Sequence, residues 1–372
     1  MLKGELIFKV AMAMIPQLTA EAVRHIADCG MSPEEFFSAP PARLAQLLGM
    51  PSPEAALSLG REAALDRARA EVAFMERHNI RGLFLLDSDY PERLAQIPDA
   101  PVLLYQLGEL DLDAGHSVAM VGTRRCTAYG SNFTAELTEI LGSYFPNINI
   151  VSGLAYGIDA AAHSAALGKG LRTTAVVAHG LDMIYPAPHR GLASQIVSHG
   201  GCILTEYPSG VRPFRNNFLQ RNRIVAALSE ATVVVESPVR GGAMSTANAA
   251  CSYGREVFAL PGRVSDEASA GCNRLIRLSK AQILTSAADL VDAMGWTPTG
   301  MSATPAVRNL FPEMDGDLKT VYDFLRGQQE PQTADSIRLH TGLPMSNVMA
   351  ALGELEFDGV TLRQPGGRYS IS

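Results

Sequence analysis

The sequence predicts an α/β protein built on a doubly wound parallel sheet, with a small helical domain before the sheet and a winged helix after it. Two observations predict the sheet. Short runs rich in Val, Ile and Thr recur between residues 78 and 295, and they lack the polar alternation of a half-solvated strand. The segments between those runs are long enough to hold crossover helices.

Composition and length fit a folded chain of two or three domains. The chain has 372 residues, 47% of them hydrophobic and 19% charged, so it has the apolar surface that a disordered chain lacks. The formal net charge of −7 argues against a uniformly basic protein that coats nucleic acid, although a local basic patch is compatible with it. Five widely spaced cysteines, none in a C-x-x-C pair, predict reduced thiols in a cytoplasmic protein.

Neither a membrane segment nor a metal site is predicted. No apolar run approaches the length of a membrane span, and we expect the apolar stretch Leu6–Ile15 to be a buried helix and not a signal peptide. The eight histidines lack the spacing of metal ligands, so the sequence predicts no metal and no cofactor.

Residues 1–77 form the predicted helical domain, which is similar in pattern to a SAM or helix-hairpin-helix module. Prolines divide its apolar periodic stretches into short helices. The predicted helices are Ala20–Cys29, Pro33–Phe37, Pro41–Leu48 and Ala55–Arg77. A domain of this kind binds DNA or packs against a partner, and the sequence leaves both readings open.

The predicted sheet domain spans residues 78–295. Its predicted strands are Gly82–Leu86, Ser117–Val121, Ile148–Val151, Thr173–Val177, Cys202–Thr205, Thr232–Val235, Glu256–Leu260 and Ala281–Leu284.

A linker rich in Pro, Thr, Ser and Gly is predicted over residues 296–317, followed by a winged helix over residues 318–372. Three helices and then a hairpin give the winged-helix order. These elements are Leu318–Arg326, Thr333–His340, Pro344–Phe357, Val360–Arg363 and Arg368–Ile371. The domain carries five Lys/Arg against six Asp/Glu, and its third helix carries no Lys or Arg, so it suits a protein partner or weak DNA binding.

Candidate anion sites follow the strands, because open parallel sheets bind ligands beyond the carboxyl ends of their strands. Gly122-Thr123-Arg124 and Ser152-Gly153 each lead from a predicted strand into a helix, whose first amides suit an anion. Later strand ends repeat the pattern with glycine, hydroxyl and amide residues. These further candidates are Gly242, Ser245, Thr246 and Asn273.

Asp159 and His163 lie four residues apart on one predicted helix face. No nucleophile or metal-ligand spacing accompanies them, so we expect a buried hydrogen bond between them and not a catalytic acid–base pair.

The segment Arg212–Arg223 carries the densest signal. It holds four arginines, three asparagines and two phenylalanines, and no acidic residue. Guanidinium groups bind phosphates, amides bond to base edges and phenyl rings stack on unpaired bases. The structural alternative is a helix turn anchored by salt bridges to Glu206 or Glu236.

Several enzyme signatures are absent from the sequence. It has no Walker A loop, no G-x-G-x-x-G after its first strand and no nucleophile elbow. Several anion sites without a reactive group favour a polyanion laid across the surface over a small substrate in a closed pocket.

Six motifs agree in order and spacing with one known family. They are Gly122-Thr-Arg124, Ser152-Gly-x-Ala-x-Gly-Ile-Asp159-x-x-Ala-His163, Gly180-x-Asp-x-x-Tyr-Pro186, Asn217-Phe-x-x-Arg-Asn-Arg-Ile224, Gly254-Arg-Glu-Val-Phe-Ala-x-Pro-Gly262 and Gly271-Cys-Asn-x-Leu-Ile276. In this the chain resembles the DNA-processing protein A family (DprA, also called Smf) over roughly residues 80–290.

The resemblance implies an extended Rossmann-like fold that binds single-stranded DNA and loads the RecA recombinase onto it during natural transformation. It also implies a homodimer and no enzymatic activity. It carries a phosphate-holding arginine to Arg124, further basic contacts to Arg190 and Arg215, and an aromatic base contact to Phe218. Together with the strand-end candidates, the predicted DNA-binding residues are Gly122, Thr123, Arg124, Ser152, Gly153, Arg190, Arg215, Asn217, Phe218, Arg221, Asn222, Arg223, Gly242, Ser245, Thr246 and Asn273.

Two other functions remain as alternatives. One is a nucleotide-binding enzyme of the nucleoside-monophosphate phosphoribohydrolase type. Such enzymes have a Pro-Gly-Gly-x-Gly-Thr-x-x-Glu loop, and this chain has a loose resemblance to that loop at Gly241-Gly242 and Thr246. Ala249 stands where that loop has its catalytic carboxylate. The other is a scaffold for protein partners, against which the arginines of the segment 215–223 argue.

Overall fold

The computed structural model describes residues 3–299, 316–328, 330–357, 360–364 and 367–371. The chain divides into two compact units, Met1–Gly300 and Met301–Ser372.

The first unit begins with helices that are set by proline and serine signals. They are α1 (Lys3–Ala13), α2 (Ala20–Asp28), α3 (Pro33–Ser38), α4 (Pro41–Leu47), α5 (Pro53–Leu57) and α6 (Arg61–Arg77). The apolar N-terminal stretch is a helix, as expected. The single predicted helix Ala55–Arg77 is wrong, because Gly60 adopts a left-handed φ of 63° and separates α5 from α6.

A nine-stranded sheet and its helices follow. The strands are β1 (Ile80–Phe84), β2 (Leu103–Leu107), β3 (Ser117–Val121), β4 (Asn149–Ser152), β5 (Arg172–Val176), β6 (Cys202–Thr205), β7 (Ala231–Val234), β8 (Glu256–Ala259) and β9 (Gln282–Ile283). The helices are α7 (Glu92–Ala95), α8 (Ala128–Tyr144), α9 (Ile158–Gly168), α10 (Arg190–Ser198), α11 (Arg215–Leu228), α12 (Gly242–Ser252), α13 (Ala270–Arg277) and α14 (Ala287–Met294).

The sheet order is β1-β2-β6-β5-β4-β3-β7-β8-β9. From β6 to β9 in this spatial order, every strand is parallel to its neighbour. This confirms the predicted doubly wound α/β fold. β2 is an addition that the sequence analysis missed, and it runs antiparallel to both β1 and β6. Gln106 interrupts its apolar run, yet this side chain is buried because its amide donates to the Leu110 carbonyl at 2.7 Å.

Helices cover both faces of the sheet. On one face, Val118 and Met120 of β3 pack with Leu137 of α8 and Ile158 of α9. On the other face, α11 and α12 pack against alternate residues of the same strand, as a doubly wound sheet requires. α11 and α12 therefore begin near each other at one edge of the sheet.

The helical region and the sheet share one core. Val72 and Met75 of α6 lie in the same apolar cluster as Phe84 of β1 and Leu103 of β2. The helices are thereby fixed to the β1–β2 edge.

The second unit has the predicted winged-helix order. Its elements are α15 (Gly316–Arg326), β10 (Gln332–Thr333), α16 (Ala334–Thr341), α17 (Met345–Phe357), β11 (Thr361–Gln364) and β12 (Arg368–Ile371). The three strands pair antiparallel in the order β10-β12-β11, and β10 was not predicted.

The predicted linker lies mostly outside the described residues, which stop at Thr299 and resume at Gly316. Its first residues pack on the first unit. Trp296 stacks on His116 with ring centroids 4.1 Å apart, and the Thr299 amide donates to the Tyr144 carbonyl at 2.8 Å.

Candidate nucleic-acid interface

A groove of about 690 Å³ lies at the carboxyl ends of β3 and β7, and we call it the switch-point groove. The chain leaves β3 toward β4 on one side and leaves β7 toward β8 on the other, which opens a crevice between neighbouring strands. Four exposed arginines from three segments line it, and Asp159 is the one acidic residue in its described lining. These arginines are Arg124, Arg125, Arg215 and Arg240.

Gly122 lets the loop after β3 turn outward into the groove. A side chain here would overlap Ile158 and lie 2.9 Å from the Glu236 carbonyl oxygen, so the position requires glycine. The Thr123 amide donates to that same carbonyl at 2.7 Å. The turn is thereby fixed between β3 and β7, and the next residue, Arg124, is directed to the surface.

Arg124 and Phe218 come together in space. The guanidinium carbon of Arg124 lies 5.1 Å from the centre of the Phe218 ring, within cation–π range. The Tyr185 ring lies 5.9 Å from Phe218 on another side. A positive charge and an aromatic surface thus share one wall, the combination that suits a phosphate and an unpaired base.

Two of the predicted anion cradles are filled by the protein's own carboxyl groups. Glu236, which is 1% exposed, accepts from the Thr127 amide at 2.8 Å and its hydroxyl at 2.5 Å, at the start of α8. Asp159 accepts from the amides of Gly153 and Ala155 at 3.2 and 3.3 Å. The amides at the start of α8 and in the turn before α9 are therefore not available to an added anion.

The start of α12 is open by contrast. A Cβ placed on Gly242 would meet nothing within 4 Å, and this residue is exposed on the groove. The Ser245 hydroxyl donates back to the Gly242 carbonyl at 2.8 Å, and Asn222 donates to that hydroxyl at the same distance. Thr246 is only 2% exposed. The backbone of this turn is the part that an anion can reach.

Arg221 lies beneath the groove, and its side chain is 4% exposed. Its guanidinium group packs directly on Gly153, where any side chain would overlap it. Burial lowers the pKa of Arg221 and raises the pKa of nearby Asp159, although each opposes the other's shift. Within the described residues, the buried Nε of Arg221 has no hydrogen-bond partner. This arginine supports the groove from below.

Other predicted residues hold the fold. Arg223 forms a 2.5 Å ion pair with Glu206, which confirms the salt-bridge alternative for this arginine. The Ser152 hydroxyl is fully buried and donates to the Met120 carbonyl at 2.6 Å. Asn273 bonds with both its amide atoms to the backbone of Gly262, at 3.0 and 3.2 Å.

Two further predicted residues do not line the switch-point groove. Asn217 donates from its amide to the carbonyls of Ala178 and Arg212, both at 3.4 Å. Arg190 is exposed but lines a separate apolar depression of about 410 Å³ beside α10. The groove therefore brings together fewer side chains than the sequence analysis expected.

The expected hydrogen bond between Asp159 and His163 is wrong. Asp159 bonds to backbone amides, as described above, and His163 bonds through Nδ1 to the Thr173 hydroxyl at 2.7 Å. Burial lowers the pKa of His163 to about 3, with the positive Arg221 contributing, so this histidine is neutral at physiological pH.

Sequence reasoning also missed contributors to the site. Arg240 lines the groove from the turn before α12, while exposed Tyr156 and Tyr185 flank Phe218 in an adjoining recess. Each of them follows a strand end, which is the signal that would have found them.

Neither a metal site nor a membrane helix is found in the part of the chain that the structure describes. No three His, Cys, Asp or Glu side chains there are grouped to hold a metal ion. No described helix combines the length and the apolar character needed to cross a membrane.

Comparisons with known proteins match both units. The model of the DNA recombination-mediator protein A family matches residues 81–295, and that of the DprA winged helix domain matches residues 302–367. A putative DNA processing protein DprA from Mycobacterium tuberculosis is 38% identical over 320 residues, which cover 82% of this chain and 81% of the relative.

Two solved structures resemble the chain in fold and sequence. The X-ray structure of DNA processing protein A from Streptococcus pneumoniae has a TM-score of 0.63 and 32% identity, covering 77% of this chain and 96% of its own. The protein of that name from Helicobacter pylori, which binds single-stranded DNA in a mode described as unique, has a TM-score of 0.52 and 32% identity. That match covers 58% of this chain and 95% of the Helicobacter pylori chain.

Proposed function

The chain belongs to the DNA recombination-mediator protein A family, and we propose that it binds single-stranded DNA in the switch-point groove. The observation that carries the proposal is the juxtaposition of Arg124 and Phe218, 5.1 Å apart, on a groove lined by further exposed arginines. The relative from Helicobacter pylori supports the same ligand.

The groove residues divide into two chemical roles. Arg124, Arg215 and Arg240 present guanidinium groups that bind phosphates, and the open backbone at Gly242 adds amide donors. Phe218 offers a ring on which a base can stack. Because a base must leave its duplex partner to reach such a ring, this arrangement favours a single strand.

Fluorescence anisotropy tests this proposal with a labelled oligothymidylate beside a duplex of equal length. We expect tighter binding of the single strand, and weaker binding by Arg124→Ala. Arg43→Ala is the matched control, because Arg43 is an exposed arginine of α4 outside the groove lining, and its binding should be unchanged. No binding at low salt, or equal binding by Arg124→Ala, would overturn the proposal.

The bound strand is, in this proposal, passed to the RecA recombinase during natural transformation, by a cytoplasmic homodimer. The recombination-mediator description of the matching family supports this role. The test is RecA filament formation on a strand coated with single-strand-binding protein. Addition of the chain should shorten the lag, and sedimentation should show a dimer.

We propose that the chain works by binding and not by catalysis. The phosphoribohydrolase alternative requires a carboxylate three residues after Thr246, and Ala249 occupies that position in α12. Incubation with nucleoside 5′-monophosphates should release no free base, and release of base would favour the enzyme instead.

A further inference from the structure

Helix α6 holds the peptide that leads into the binding helix α11. This peptide, Glu206–Phe214, joins β6 to α11, and we call it the strap. Ser209 is its central attachment. The Ser209 amide donates to Glu71 Oε1 at 2.8 Å and its hydroxyl donates to Oε2 at 2.6 Å, while Arg67 donates to its carbonyl at 2.5 Å.

The carboxyl group of this attachment on α6 is buried, and both of its oxygens are hydrogen-bonded. Glu71 is 1% exposed, and its Oε2 also lies 2.8 Å from Arg67 Nη2. A carboxyl group buried this deeply is costly unless its oxygens are paired, and Ser209 and Arg67 supply those partners. Val72, the next residue, anchors α6 in the apolar core. The contact is thus a fixed part of the fold.

The loop after β5 holds the strap from the other side. The Gly210 amide donates to Asp182 Oδ1 at 2.9 Å, and the Gly180 amide donates to the Val211 carbonyl at 3.0 Å. A side chain on Gly180 would overlap the strap backbone, so the two segments are in close contact. The backbone of the strap is therefore held up to Val211, and only three residues separate this residue from the start of α11.

The strap ends where the strand-binding groups begin. Arg215 is the first residue of α11, and Phe218 lies one turn later. The other end of α11 is fixed, because Ile224–Leu228 are buried in the core. The position of the exposed first turn of α11 consequently depends on the position of the strap that precedes it.

We propose that Glu71 and Arg67 are positioning residues for single-stranded DNA, which they do not touch. By fixing Ser209, they place Arg215 and Phe218 on the switch-point groove, so the helical region takes part in strand binding at a distance. This inference rests on the proposed function.

Glu71→Gln and Ser209→Ala test the proposal in the full chain, with oligothymidylate as the probe. Glu71→Gln removes the negative charge of the carboxylate to which both Arg67 and Ser209 bond. Ser209→Ala is the milder change, which keeps the backbone bonds and serves if Glu71→Gln fails to fold. Each should weaken binding by about three- to tenfold. Arg69→Ala, on an exposed arginine of the same helix, should bind normally.

A double substitution distinguishes a general loss of structure from a loss of the positioning of α11. If the strap acts through α11, Arg215→Ala should cost less affinity in the Ser209→Ala background than in the unsubstituted chain. Hydrogen exchange of the peptide 207–218 should also become faster. Normal binding by both strap variants, or full additivity with Arg215→Ala, would overturn the positioning proposal alone. No binding by the unsubstituted chain would overturn the proposed function as well.

Discussion

Replacing Arg223 with alanine should destabilise the fold far more than it weakens DNA binding. Arg223 Nη2 lies 2.5 Å from Glu206 Oε2, and the two side chains are only 13% and 16% exposed. Burial raises the pKa of Glu206, and the positive charge of Arg223 opposes that rise. Asp99, 3.6 Å from Arg223 and half exposed, adds a weaker contact.

The size of the effect follows from the group left behind. Removing one partner of a buried ion pair costs about 3–5 kcal/mol, because the other charge stays buried without compensation. Both side chains here keep some contact with water, which lowers our expectation to about 2–4 kcal/mol. Adding Glu206→Gln should recover much of this loss, since no unpaired carboxylate then remains.

Urea unfolding followed by circular dichroism measures the stability, and anisotropy titration measures binding of the same samples. Arg215→Ala is the matched comparison, because Arg215 is exposed on the groove and precedes Arg223 on the same helix. It should change the unfolding free energy by less than about 0.5 kcal/mol while weakening binding. The reasoning is refuted if Arg223→Ala is as stable as Arg215→Ala and binds as weakly.

Three other substitutions test single features of the site. Phe218→Leu should weaken oligothymidylate binding, because stacking on an aromatic ring is worth about 1–3 kcal/mol per base, and equal binding by this variant would contradict a stacking role for the ring. Gly153→Ala should cost about 1–3 kcal/mol or more in urea unfolding, because its methyl group would overlap the Arg221 guanidinium, and an equally stable variant would contradict this packing. Burial lowers the pKa of His163 from 6.5 to about 3, so only the unfolded chain takes up its proton as the pH falls below 6.5. The free energy of unfolding should therefore fall by about 2 kcal/mol between pH 7 and pH 5 because of this histidine. His163→Gln should remove that part of the pH dependence.

The sheet could be predicted because both of its faces are buried. β3 and β6 begin and end where their runs of apolar residues predict, since strands covered on both sides need no polar alternation. β2 was missed because Gln106 breaks its apolar run. A hydrogen bond to the Leu110 carbonyl, four residues further along the chain, satisfies this amide in the core, and hydropathy alone does not register that bond.

The arginines of α11 show where sequence reasoning ends for the site. The segment predicts a basic surface, and of its arginines Arg215 is exposed on the groove. Arg221 and Arg223 have the same chemistry, but Arg221 is buried against Gly153 and Arg223 is largely covered in its ion pair with Glu206. Both determinants come from other strand ends, so no local pattern in the helix distinguishes the exposed arginine from these two.

The predicted anion cradles have a similar explanation. A glycine turn before a helix leaves amides free for an anion, but Asp159 and Glu236 occupy two such turns with the protein's own carboxyl groups. Asp159 is close in sequence to its turn, whereas Glu236 arrives from β7 at the turn after β3. The contact of Glu236 with the turn after β3 depends on β7 being the neighbour of β3 in the sheet, and the sequence alone does not reveal this strand order.

The salt dependence of oligothymidylate binding tests the switch-point groove most directly. Each phosphate contact on a single strand contributes about 0.7 to the slope of log affinity against log salt. If Arg124 and Arg215 each hold one phosphate, the double variant Arg124→Ala/Arg215→Ala should have a slope shallower by about 1.4 than the unsubstituted chain. Equal slopes for the two folded proteins would contradict the account and place the DNA elsewhere.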